Sequence, residues 1–66
     1  MDTVTVTKAG QRYKLSFSKL PGKSFGPYEF TEAIRDLRIS ALLEPMDARN
    51  LVMDAAVEGS ATRETA

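Results

Sequence analysis

The stretch Tyr28 to Leu43, YEFTEAIRDLRISALL, decides how this chain folds. Phe30, Ile34, Leu37 and Ala41 recur at helical spacing, with Ala33 beside them. Such a recurrence makes one apolar stripe along a helix. The spacing predicts a helix over about 29–42, starting near Tyr28 or at Thr31, a residue type suited to an N-cap. Glu29 and Glu32 favour the early turn electrostatically. The like-charged pair Glu32 and Asp36 is offset by Arg35. This is the longer of two helical segments, and the remaining pieces are short enough to need it as a packing partner.

Downstream, Pro45 suits the first residue of a second helix, where a missing amide is harmless, and Asp47 follows in its first turn. Ala48, Leu51, Val52, Ala55 and Ala56 form a narrow apolar stripe, and the alanines permit close approach to the first helix. Leu42 and Leu43 are expected to fill the angle between the helices. Gly59 is the natural C-cap, so the second helix is expected over about 45–58. Residues 60–66 show no apolar periodicity and read as a flexible tail after a single domain of residues 1–59.

Upstream, Thr3 to Thr7 alternates strictly, with threonines on one face and Val4 and Val6 on the other. Arg12 to Ser18 alternates again: Tyr13, Leu15 and Phe17 oppose Arg12, Lys14, Ser16 and Ser18. Both runs read as half-buried strands. Gly10 lies between them, where a hairpin connection often needs a positive φ. An antiparallel hairpin over 3–18 follows, apolar row inward. The fold class is α+β, a hairpin packed against two C-terminal helices (ββαα). Both hairpin edges are expected to be open, with basic residues guarding the solvent face.

Leu20 to Pro27 reads as a connector, with a turn at Pro21-Gly22 and a second stop at Gly26-Pro27. Phe25 lies between two glycines. It is either a plug over the seam between sheet and helices or an exposed aromatic anchor for a partner.

The 66 residues contain no cysteine and no histidine. Disulfides, thiolate metal sites and most nucleophilic triads are therefore outside the reach of this chain. The acids fall on faces expected to be solvated, so neither an enzyme activity nor a cofactor is expected. No apolar run has the length needed to cross a membrane, and Met-Asp-Thr-Val does not open a secretory signal. A cytoplasmic protein is the default expectation.

The formal net charge is zero but divided. Residues 1–27 carry five basic side chains against Asp2, a net +4; residues 28–66 carry four arginines against eight acids, a net −4. Such a bipolar surface can orient a partner or a second copy. A thin core of this size also favours association with another protein or a homodimer, through the hairpin edge or the outer helical surface.

The expected function is that of a small protein-interaction module. The residues expected to bind the partner are Phe25 as anchor, Arg12, Lys14 and Lys23 as orienting charges, and Met46 and Met53 as adaptable contacts. In size, split charge and lack of catalytic residue types, the chain resembles small accessory or inhibitor proteins of phages and other mobile elements. That resemblance, which rests on no diagnostic motif, implies binding and blocking a host protein. The alternative is nucleic-acid binding: Arg12, Lys14, Lys19 and Lys23 would contact phosphates, with Tyr13 and Phe17 stacking on bases. It requires the aromatic face of the hairpin to be open, which conflicts with using that face as the core.

Overall fold

The computed structural model describes residues 2–65. Strands β1 (Thr3–Ala9), β2 (Arg12–Phe17) and β3 (Ser24–Tyr28) run as a meander. Helices α1 (Phe30–Ser40) and α2 (Pro45–Glu58) follow, and β4 (Ser60–Glu64) closes the chain. All pairings are antiparallel, in the order β3-β2-β1-β4. The class is α+β as the sequence predicts, but the order is βββααβ rather than ββαα.

The alternating runs form the two central strands. Val4, Val6, Tyr13 and Leu15 point inward and are buried. Ala9 pairs with Arg12, so Gly10 and Gln11 make a two-residue turn. Gly10 stands at φ 66, as the first central residue of a type II′ hairpin turn requires. The outward rows are polar. One row, Ser24-Ser16-Thr5-Thr62, crosses all four strands, and the hydroxyls of Thr5 and Thr62 lie 2.8 Å apart.

Both helices cover the inner face, α1 over β2 and β3, α2 over β1 and β4. Ala33, Leu37 and Ala41 of the first stripe are buried, with Phe30 and Ile34 packed at its margin. Ala48, Leu51, Val52 and Ala55 of the second stripe complete the core. The start of α1 is fixed by neither Tyr28 nor Thr31. Glu29 is the N-cap, and its backbone N–H donates to Glu32 Oε1 at 3.0 Å. That contact has the form of half a capping box. α1 ends when Leu42 enters the left-handed region at φ 56. α2 begins at Pro45 and is capped by Gly59, as expected.

Two segments differ from the sequence reading. The expected connector contains β3, paired to β2 through Leu15–Phe25 and Tyr13–Tyr28 with an irregularity between them. The expected tail contains β4, which pairs with β1 from Thr3–Glu64 to Thr7–Ser60. Residue 66, the end of that tail, lies outside the described residues, as does residue 1 of the expected domain. Because β3 and β4 flank the hairpin, neither hairpin edge is open, and the outer edges of the sheet belong to β3 and β4. Pro27 on edge strand β3 lacks a donor. β4 contains no proline.

Candidate functional site

At one end of the sheet, beneath the C-terminal end of α1, is a pocket of about 560 Å³. Its aromatic wall comes from the hairpin and β3. Phe17 and Phe25 meet edge to face, with centroids 5.7 Å apart and planes at 70°. Leu20, from the β2–β3 turn, and Leu42, from the α1–α2 connection, also line the pocket. They are 41% and 68% exposed. Large aliphatic side chains held in water beside an aromatic wall offer a ready apolar contact.

The polar groups of the pocket are few. Asp2 and Lys19 form an ion pair at 3.1 Å, and Asp36 accepts a hydrogen bond from the Ser40 hydroxyl at 3.3 Å. Tyr28 also lines it. Burial first, and then the charges of Asp36 and Glu32, push the Tyr28 phenol above its usual value. The partial negative charge at the end of α1 acts in the same direction as Asp36 and favours positive charge nearby. The arrangement suits an apolar group that carries a cationic neighbour. Among the described residues no group of three or more metal-ligating side chains converges.

The side chains predicted to bind a partner fall in three places. Phe25 is half-buried against Phe17 and the core, so it forms part of the pocket wall rather than projecting from a loop. Arg12 and Lys14 are exposed on the open face of the sheet, opposite Ala9 and Thr7 of β1. Lys23 is exposed just before β3. Met46 and Met53 lie on α2, 64% and 43% exposed. Tyr13 is only 7% exposed and stacks edge to face on Phe30 at 6.2 Å, which places it in the core and away from any base.

Leu20 and Leu42 were not legible as pocket residues. Leu43 is partly buried between the helices as expected, but Leu42 is turned out by its backbone. Nothing in the run Ala41-Leu42-Leu43-Glu44 signals a left-handed residue, which a glycine or asparagine would have done. No helix among the described residues is long and apolar enough to cross a membrane. Comparison with protein-family models, curated proteins and solved structures returned no match.

Proposed function

We propose that the chain is a protein-interaction module whose pocket between β3 and the end of α1 receives an apolar side chain of the partner, flanked by a basic one. The observation that carries this reading is Leu42. A leucine at φ 56 costs roughly 1–2 kcal/mol relative to ordinary backbone, and this one also leaves its side chain in water. Residues held in sparsely populated backbone regions cluster at functional sites. Here that backbone holds an aliphatic group at the mouth of a pocket walled by Phe17 and Phe25. Arg12 and Lys14, on the open sheet face, supply long-range orientation rather than the central contact.

The test is a pull-down from the source cell, run in parallel with and without nuclease, using the full chain, its Leu42→Gly variant and an Arg12→Glu/Lys14→Glu variant. Glycine is the residue that the Leu42 backbone prefers, so this variant removes the side chain without loss of fold. A protein retained by the wild type and lost with Leu42→Gly supports the pocket. Capture of RNA or DNA instead, steeply salt-dependent and abolished by the Arg12/Lys14 reversal, favours the nucleic-acid reading.

A further inference from the structure

Helix α2 carries a second apolar line that the fold does not use. Its core side consists of Ala48, Leu51, Val52 and Ala55, all buried. At 3.6 residues per turn, the opposite direction belongs to Met46, Asn50, Met53 and Val57. Met46 and Val57 are 64% and 85% exposed, and Asn50 and Met53 are exposed between them. A helix that is apolar on two opposite sides normally lies between two layers. One layer here is the protein's own sheet.

The spacing of the outer line, four then three then four, is that of positions d, a, d and a of a heptad. In this frame Arg49 takes position g and Asp54 position e. Both are exposed, and neither has an ion-pair partner among the described residues. The other e position, Asp47, is already engaged by Arg63 at 3.2 Å.

We propose that this line is the seam of a homodimer in which α2 packs parallel to α2 of a second copy. The seam lies on a different face from the pocket and stands independently of the function proposed above. Two features select the parallel arrangement. In a parallel pair, position g of one helix lies beside position e of the other, five residues further on. Arg49 then meets Asp54 of the second copy, twice by symmetry. An antiparallel pair with Asn50 opposite Met53 sets g beside g and e beside e, so that Asp54 faces the second copy's Asp47, carboxylate to carboxylate, and Arg49 faces Ala56 without a partner. Asn50 is the second feature. In the parallel pair it meets the second copy's Asn50 at an a position, where an asparagine specifies two strands in one register. In the antiparallel pair it would face Met53 and leave a buried amide without a partner. The helix is about 21 Å long, so the interface is small and association is weak.

Sedimentation of the full chain from low micromolar to millimolar concentration tests the seam. The expected result is a dimer that grows with concentration and disappears in Val57→Glu. That variant should keep the melting curve of the dilute wild type, since Val57 is exposed in the monomer. Met46→Lys gives the same reading from the other end of the seam if Val57→Glu lowers stability. Arg49→Glu and Asp54→Lys should each weaken association about fivefold or more, and the two together should restore it. A monomer throughout the range overturns the proposal. So does a dimer indifferent to Val57→Glu and Met46→Lys, or one that the paired charge exchange fails to restore.

Discussion

The guanidinium of Arg63 on β4 lies 3.2 Å from the carboxylate of Asp47 in the first turn of α2. β4 is thus tied twice, by its ladder to β1 and by this ion pair to the helix layer. The ties differ in weight. The two side chains are 38% and 46% exposed, and an ion pair in such a setting contributes less than about 1 kcal/mol. The ladder adds several backbone hydrogen bonds at roughly 1 kcal/mol each, and it shields the edge of β1. Arg63→Ala should therefore cost under about 1 kcal/mol. Deleting residues 60–66 should cost several, on the order of the whole stability of a domain this small. Denaturant midpoints measure both, and equal losses would reject the ranking.

Gly26 and Gly10 both have positive φ, but only one is enclosed. A Cβ on Gly26 would stand 2.9 Å from the Tyr13 carbonyl oxygen and 2.9 Å from the Tyr28 nitrogen. A Cβ on Gly10 would meet nothing within 4 Å. Gly10→Ala should cost only the backbone penalty, roughly 1–2 kcal/mol. Gly26→Ala adds to that penalty a clash with backbone atoms that cannot swing away, and should be clearly worse. Thermal melts of the two variants decide; a Gly10 variant as unstable as the Gly26 variant contradicts the packing around β3.

Leu37 and Thr5 contrast the two sides of the sheet. Leu37, on the sheet-facing side of α1, is fully buried, and Leu37→Ala should lose about 2–5 kcal/mol. Thr5 lies on the polar face, where its hydroxyl meets Thr62 at 2.8 Å. Thr5→Ala should lose about 1 kcal/mol or less. Urea titrations showing the reverse order would invert the assignment of the faces.

Tyr28 gives a dependence on alkaline pH. Its phenol is raised above its ordinary 10.0 by burial, Asp36 and Glu32, in that order. The folded chain thus keeps this proton at pH values where the unfolded chain has lost it. The contribution to stability is complete below the unfolded value of 10.0 and is lost as the pH rises towards the higher folded one. Tyr28→Phe should flatten part of the alkaline decline in melting temperature. Parallel declines in the two proteins would contradict this.

What could be read in the sequence follows from how much apolar surface each element buries. β1 and β2 are central strands whose buried residues, Val4, Val6, Tyr13 and Leu15, are all apolar, so alternation reveals them. α1 buries Ala33 and Leu37 with Phe30 and Ile34 packed at the margin, α2 buries four positions, and Pro45 and Gly59 mark the ends of α2. β4 needs only Ala61 and Arg63 on its inner side, the second engaged by Asp47, and this leaves no apolar alternation. In β3 the irregularity between Phe25 and Tyr28 breaks the period of two, and Gly26-Pro27 resembles a plain turn. The polar open face was legible from its threonines. The pocket was not, because it depends on the left-handed backbone of one leucine.

The central place of β1 has a further consequence. Thr3 pairs with Glu64, and the Thr65 N–H reaches the Asp2 carbonyl at 2.9 Å, so residues 2 and 65 are neighbours across one ladder. A short glycine-rich loop can join them without disturbing the sheet, and new ends can be opened at the Gly10-Gln11 turn, where chain cuts are best tolerated. Such a circular permutant would start at β2 and carry β4 and β1 as one continuous hairpin. The same adjacency lets the whole unit be spliced into a surface loop of another protein with little strain on the host.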